Sequence, residues 1–250
     1  MLRRFRLGTL LLALAGILPA SAVAQSQIEF DHIWIVVSPN APERVALERA
    51  GFQISPDVNH HDGQGTASIT VEFQNSYLEL VWPDSTVSVA PALERAAEEF
   101  RQRMLWRSSG WCPIGVGLRR MTPTNEALPF STWSWTAEWM PKGSSMEMLT
   151  PRDDTRSPAL FLEPRALTNA DEQVKRASRF HHSIGAQRIT LVRLISPKTY
   201  KPIEALLFLQ KQGVLETEPG DEWLGELTFD GGKEHKTKDL RPDLPLVVRY

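Results

Sequence analysis

Several residue types and motifs are scarce or absent in this chain of 250 residues. Cysteine occurs once, at Cys112, so no internal disulfide can form and a packed core must stabilise the fold. No base can be assigned to Cys112, and its neighbours Trp111 and Pro113 favour a buried structural thiol over a nucleophile. The sequence contains no G-x-S-x-G elbow, no Walker loop and no G-x-G-x-x-G after a strand. No basic stripe is interleaved with aromatic residues, so we expect no nucleic-acid partner.

The one long apolar run lies at the start of the chain. A basic start, MLRRFR, is followed by LGTLLLALAGILPA and then by SAVAQ, where Ala22 and Ala24 give the small-x-small pattern of a cleavage site. We therefore predict that residues 1–24 are a secretory signal peptide, because the run is too short for a confident membrane span. Cleavage would leave 25 basic and 30 acidic side chains. We expect a periplasmic or secreted protein with no membrane contact after cleavage.

The rest of the chain alternates strand and helix patterns. FDHIWIVV is a strand, SPNAPERVALERAGF holds a helix that ends at Gly51, and GTASITVEF and YLELVW are two further strands. A helix, PALERAAEEFRQRMLW, then precedes four strands, PIGVGLRRM, FSTWSWTAEWM, SMEML and ALFLEP. Trp133, Trp135 and Trp139 lie in this stretch and could line a pocket, although aromatic residues on strands more often pack in a core or at an edge.

A third series follows a polar stretch, residues 169–180, that is predicted to be helical. It consists of the strand QRITLVRLISP, the helix KPIEALLFLQKQG, a hairpin around Asp230 to Gly232 and the strand LPLVVRY. One order of elements, strand, helix and then strands, is thus used three times. The sequence predicts an α+β fold in which repeated βαβββ modules form curved, mainly antiparallel, cupped sheets.

Alternation along two strands brings polar groups onto apolar faces. Tyr77, Glu79 and Val81 share one face of their strand. His32 and Trp34 share a face of the first strand in the same way. An imidazole and a carboxylate on one face would suit a transition metal. Spacing alone favours a structural interpretation, in which His32 is a satisfied core histidine and Glu79 pairs with an arginine such as Arg188.

A family resemblance favours the metal interpretation. The segments DHIWIVV, AGF and HHDGQGTASITVEFQNSYLELV resemble the glyoxalase/bleomycin-resistance superfamily, also called vicinal oxygen chelate proteins, and more narrowly its glyoxalase-like domains. The match is good over residues 29–82 and weakens toward residue 195. The resemblance implies a glyoxalase-like domain of two βαβββ modules over residues 29–168. We treat residues 169–250 as a third, C-terminal βαβββ-like module.

The resemblance also implies a site. Family members place a histidine on the first strand and a glutamate on the last strand of a module, which here are His32 and Glu79. Glu163 is the corresponding glutamate of the second module, whereas no histidine, glutamine or glutamate occupies the first strand of that module. His61, in its Gly-containing loop, could supply a further ligand; the alternative is an exposed polar loop. We therefore expect His32, His61, Glu79 and Glu163 to bind a divalent ion, either zinc, iron, manganese or nickel.

The expected function follows from that site. Glu79 and Glu163 are the candidate catalytic carboxylates, and Trp34, Tyr77 and Arg188 are candidate substrate-binding residues, with Arg188 anchoring a substrate carboxylate. The resemblance implies a metal-dependent lyase, isomerase or ring-cleaving enzyme that acts on a small oxygen-rich molecule. The alternatives are a non-catalytic small-molecule-binding or sequestering protein of the same fold, and an interaction module with a dead site. The oligomeric state is left open.

Overall fold

A computed structural model describes residues 27–121, 127–154, 156–165, 167 and 181–250. The predicted signal peptide and the predicted helix at 169–180 lie outside these residues. The strands of the described chain are β1 (Ile28–Val36), β2 (Asn59–His61), β3 (Thr66–Glu72), β4 (Tyr77–Pro83), β5 (Ile114–Arg120), β6 (Trp133–Trp135), β7 (Met146–Met148), β8 (Ala159–Leu162), β9 (Ile189–Pro197), β10 (Glu216–Gly220), β11 (Leu224–Phe229), β12 (Thr237–Asp239) and β13 (Leu246–Arg249). The α-helices are α1 (Arg44–Ala50), α2 (Glu94–Met104), α3 (Trp106–Ser109) and α4 (Glu204–Lys211).

The first sheet has eight strands in the order β2-β3-β4-β1-β5-β8-β7-β6. In its first half, β1 pairs in parallel with β4, the last strand of the same βαβββ unit. In its second half, β5 pairs with β8 in the same way. The two halves join through the antiparallel pair β1 and β5, and the sheet curls strongly into a half-barrel. The predicted α+β class with cupped, mainly antiparallel sheets is confirmed.

The position of the helix differs between the two halves of the first sheet: α1 follows the first strand of its half, whereas α2 precedes the first strand of the second half. Helix α2 packs against β4 and β1, and several of its side chains line the hollow of the half-barrel. Among the residues described between β5 and β6 there is no helix. The helix predicted from PALERAAEEFRQRMLW is therefore confirmed. It begins with a 3₁₀ turn at Pro91–Leu93, and the chain after Leu105 forms the separate short helix α3.

The C-terminal unit repeats the order of elements but not their pairing. Its sheet has the order β10-β9-β11-β13-β12. Here β9 and β10 are parallel neighbours, joined by the crossover through α4 that parallel pairing requires. The predicted hairpin at Asp230 to Gly232 is wrong, because β12 pairs with β13 and not with β11. Those residues form a 3₁₀ turn instead, and β13 lies between the two strands.

The main core lies between the convex face of the first sheet and the second sheet. Ile33 and Ile114, both fully buried, reach the second sheet near Gly225, where a Cβ atom would lie 3.6–3.7 Å from their Cδ1 atoms. Leu47 of α1 and Leu206 of α4 belong to the same cluster. No helix of the described residues combines the length and apolar character needed to cross a membrane.

Candidate functional site

The hollow of the half-barrel holds a cavity of about 500 Å³. That volume lies within the range of small-molecule sites, roughly 300–1,000 Å³. Side chains from the concave face of the first sheet and from α2 line the cavity. They include His32, Trp34, His61, Tyr77, Glu79, Phe100, Arg103, Trp133, Trp135, Trp139, Met146, Phe161 and Glu163. The predicted sharing of one face by the candidate residues of β1 and β4 is confirmed.

A β-bulge in β1 brings a carboxylate next to His32. The register between β1 and β5 shifts between Phe30 and His32, which adds one residue to β1 at Asp31. The inserted Asp31 lies on the cavity side, 2% exposed, with its Oδ1 atom 3.0 Å from Nδ1 of His32. Its other oxygen accepts a hydrogen bond of 3.0 Å from Nη1 of Arg119. Asp31 thus fixes the orientation of the imidazole and leaves Nε2 as the ring nitrogen without a hydrogen bond among the described residues.

Two glycines of β5 make room for the rings of β1. Gly117 is the register partner of His32, and Gly115 is the partner of Trp34. A Cβ atom at Gly117 would lie 2.2 Å from Cε1 of His32, and one at Gly115 would lie 2.0 Å from Cε2 of Trp34. Both rings therefore pack directly against the β5 backbone. This is the physical reason for the motif GVG and for the missing ligand in the second module.

Aromatic rings hold the imidazole of His32 on two further sides. Tyr77, the neighbour of His32 on β4, stacks on it with ring centroids 4.3 Å apart and planes 10° apart. Phe161 contacts it edge to face at 5.5 Å. Burial, together with the nearby carboxylates Glu79 and Glu163, raises the pKa of the Tyr77 hydroxyl well above its ordinary value. Tyr77 is therefore a neutral wall of the site, and its hydroxyl can form hydrogen bonds but is a poor acid at neutral pH.

Glu79 faces His61 across the cavity. Its Oε1 atom lies 3.8 Å from Nε2 of His61, and the two side chains are 13% and 15% exposed. The other nitrogen of His61, Nδ1, lies 2.9 Å from Oγ1 of Thr66. Burial lowers the pKa of His61, although the charge of Glu79 opposes this, so the imidazole is neutral and available as a ligand or base at neutral pH.

The loop HDGQGT positions His61. Gly63 and Gly65 adopt φ values of 80° and 73°, which glycine accepts readily. Between them, Gln64 is buried and its Oε1 atom accepts a hydrogen bond of 2.9 Å from Nε1 of Trp139. Trp139 in turn contacts the ring of His61 at 5.3 Å. The glycines of this motif therefore serve the turn that connects β2 with β3 and brings His61 to the cavity.

Glu163 follows β8 and carries a buried oxygen without a partner. Its Oε2 atom makes no hydrogen bond, although its backbone N–H bonds to the carbonyl of Leu118. Burial raises the pKa of this carboxyl to about 7; the charge of His32 opposes the rise, and those of Asp31 and Glu79 add to it. Glu163 is therefore partly protonated near neutral pH.

The charges around His32 have the opposite effect on its imidazole. Burial lowers the pKa of His32, but the hydrogen bond and charge of Asp31, together with Glu163 and Glu79, outweigh it and raise the pKa overall. For Asp31, burial raises the pKa, but the hydrogen bonds and charges of His32 and Arg119 outweigh burial and lower the pKa overall. Asp31 is therefore ionised, and the pair of Asp31 and His32 can take up or give up one proton at the cavity surface.

Arg188 and His182 lie outside the cavity lining. Arg188 lines a second, smaller pocket of about 160 Å³ with Arg119 and Asn75, so it is not in position to anchor a ligand in the cup. Its backbone N–H bonds to Asp230 at the turn after β11. His182 packs against Phe52 and Phe73 and bonds to backbone groups, which gives it a structural role.

The sequence interpretation missed part of the lining. Trp133, Trp135 and Trp139 line the cavity, which was the less favoured of the two interpretations of their sequence. Asp31 and Arg103 were not identified, although the adjacent Asp-His pair was a usable signal. Among the described residues, no three histidine, cysteine, aspartate or glutamate side chains are arranged so that they could hold a metal ion.

Comparisons with known proteins agree with this architecture. No curated protein matches the chain. Among solved structures, the crystal structure of a hypothetical protein from Staphylococcus aureus is similar, with a TM-score of 0.51 and 11% sequence identity over 89% of this chain and 98% of that one. At that identity the likeness shows the fold alone. A family model described as a glyoxalase-like domain matches residues 30–207. The chain therefore belongs to the glyoxalase-like domain family, within the vicinal oxygen chelate superfamily.

Proposed function

We propose that this protein is an enzyme that moves protons on a small oxygen-bearing molecule bound in the cup. The observation that carries the proposal is the convergence of His32, His61, Glu79 and Glu163 on one cavity, from four separate places in the chain. Ionisable groups are costly to bury and are retained where they act on a ligand. A lyase, isomerase or ring-cleaving reaction would suit such a set. Export of the chain, after removal of residues 1–24, belongs to the same proposal.

The side chains have distinct tasks in this proposal. His32, oriented by Asp31, receives a proton through the ring nitrogen that faces no protein partner. Glu163 holds a proton on a carboxyl whose second oxygen has no internal hydrogen bond, so it can donate to a developing negative charge on the ligand. Glu79 and His61, 3.8 Å apart, form the second polar pair of the cavity. The Trp and Met side chains exclude water from the bound molecule.

A divalent metal ion is part of the proposal because the donor types fit one. Two imidazoles and two carboxylates suit zinc, iron, manganese or nickel. His61 and Glu79 would be the first ligands, since they are already close, and His32 or Glu163 would complete the set. A bound ion would polarise a carbonyl or hold neighbouring oxygens of the ligand. The described residues contain no ready-made group of three, so none of the protein's steps above depends on the ion.

The lack of a ready-made group of three ligands among the described residues favours a second candidate function. A binding or sequestering protein of this fold needs the cavity and its aromatic walls, and it does not need a complete ligand set. The two candidates differ in whether the purified protein holds a metal ion that depends on Glu79 and His61.

The test is the metal content of the purified protein and of four variants. We expect about one transition-metal ion per chain, and we expect Glu79→Gln and His61→Gln each to weaken its binding by more than about 100-fold, since loss of even an outer-shell partner costs about 10–100-fold. Glu216→Gln and His235→Gln change exposed residues of the C-terminal unit and serve as matched controls. Unchanged thermal unfolding shows that each variant is folded. A metal-free wild type that ignores added zinc, iron, manganese and nickel supports the sequestering function instead.

A further inference from the structure

Arg103 is a buried cation in the wall of the cavity. It lies near the end of α2 and is 4% exposed. Its Nη1 atom donates hydrogen bonds to the backbone carbonyls of Cys112 and Ser157. A guanidinium carries five N–H donors. The donors on Nε and Nη2 have no hydrogen bond, and the guanidinium has no ion pair with a carboxylate, among the residues that the structure describes.

The other arginines of the cavity differ from Arg103. Arg95 pairs with Glu99 at 3.2 Å and with Asp153 at 3.2 Å, and it is largely exposed. Arg152 is exposed and stacks over Trp133 at 4.2 Å. An exposed cation is solvated by water, whereas a buried cation without a direct ion pair keeps a desolvation penalty. For Arg103 that penalty lowers the pKa, and the charges of Glu99 and Asp154 offset it only in part. An anionic group of a ligand is the partner that would remove this penalty.

Aromatic rings surround the space next to Arg103. The guanidinium carbon lies 5.9 Å from the ring centroid of Trp34, which itself contacts Phe100 at 5.5 Å. Elsewhere in the cavity lining, Trp135 and Trp139 lie 6.2 Å apart. Phe100, Trp135 and Trp139 are partly accessible, whereas Trp34 is 6% exposed and lines the cavity beside Phe100. These rings offer flat apolar surfaces of the kind that bind a planar ring.

We propose that Arg103 binds the carboxylate of an aromatic carboxylic acid whose ring lies against Trp34 and Phe100. The inference rests on the proposed function, since it names the substrate class of the same cavity. The ring would carry its reacting oxygen toward the strand side chains, where His32 and Glu79 lie. A fork of N–H donors next to a planar apolar surface matches a planar acid better than it matches a neutral polar molecule or an amine.

The test compares a matched pair of ligands by calorimetry on protein treated with a chelator. The acid is 2-naphthoate and the neutral probe of the same shape is 2-naphthamide. We expect the acid to bind at least about tenfold more tightly, because a hydrogen bond to a charged group exceeds a neutral one by roughly the free energy of a factor of ten. Arg103→Gln should lower the affinity for the acid to that for the amide and leave the amide affinity unchanged.

Two variants complete the design. Arg101→Gln changes an exposed arginine on the same helix, whose partner is Glu98, and should leave both affinities unchanged. Arg103→Lys keeps the charge and should retain part of the preference for the acid. If Arg103→Gln does not fold, the inference is tested by the ratio of acid to amide affinity in the wild type and in Arg103→Lys.

Several results would overturn the inference. These are equal binding of acid and amide, binding of neither probe, tighter binding of 2-naphthylmethylammonium than of the acid, and an acid preference that survives Arg103→Gln. Glu79→Gln should keep the preference for the acid, because the measurement involves no metal. The two proposals can therefore fail separately. If Glu79→Gln loses the metal but the wild type shows no preference for the acid, this inference is refuted and the proposed function stands.

Discussion

Replacement of Glu163 by glutamine in the metal-free protein should make folding more stable at neutral and alkaline pH. The pKa of this carboxyl is about 7 in the folded state against an ordinary value of 4.5. At a pH below the ordinary pKa, Glu163 is protonated in both the folded and the unfolded state, and it does not reduce the free energy of unfolding. As the pH rises toward the folded-state pKa, the unfolded chain loses the proton first and is favoured. At about 1.4 kcal/mol for each pH unit, the wild type loses up to about 3 kcal/mol across this window.

Urea unfolding measures that difference directly. The stabilities of the wild type and Glu163→Gln should agree near pH 4, allowing for the lost O–H donor, and should diverge by up to about 3 kcal/mol near pH 8. Glu234→Gln, an exposed carboxylate paired with Lys236, is the control and should show no such divergence. A chelator is present throughout, because a bound cation would stabilise the ionised form. A glutamine variant no more stable than the wild type near pH 8 would refute the reasoning.

Two further predictions concern the strand β5 and the start of the chain. Gly117→Ala places a Cβ atom 2.2 Å from the His32 ring and should destabilise the protein by about 1–3 kcal/mol in urea unfolding, whereas Gly225→Ala meets side-chain atoms at 3.6 Å and should be neutral or slightly stabilising. If Gly117→Ala and Gly225→Ala change the free energy of unfolding equally, the close approach of His32 does not explain the glycine at position 117. The exported protein should begin at Gln25, and mass spectrometry that finds Met1 on it would contradict the predicted signal peptide.

Local signals predicted the elements better than their pairing. The alternation in β3 and β4 and the glycine after α1 determine those elements within a few residues, so their prediction succeeded. The pairing of the C-terminal strands depends on which strand fills the place next to β11. Turn residues at Asp230 to Gly232 suit a hairpin, but the parallel contact between β11 and β13 buries Leu246 and Val248. A short local signal cannot outweigh that long-range burial.

The site was predictable where the strand period decides orientation. His32 and Glu79 lie in the cavity because side chains alternate, and the same rule sends Leu78 and Leu80 into the core. Alternation could not place Arg188. It lies just before β9, a strand of the second sheet, and therefore lines the smaller pocket and not the cavity of the half-barrel. Arg103 could not be found from periodicity, since an arginine on a helix beside apolar residues is more often a solvated side chain with a buried stem.

Glu79 lies between Leu78 and Leu80, but it is not inside the core that buries those two residues. The curl of the first sheet separates two environments along one strand, with a packed interior on the convex side and a cavity on the concave side. The concave side collects carboxylates and imidazoles from the strands, while α2 contributes a guanidinium with unused donors. Charges of both signs on one aromatic lining favour a ligand that is itself polar at two places and apolar between them. A molecule with a carboxylate for Arg103 and a second oxygen near Glu79 would match both ends of this lining.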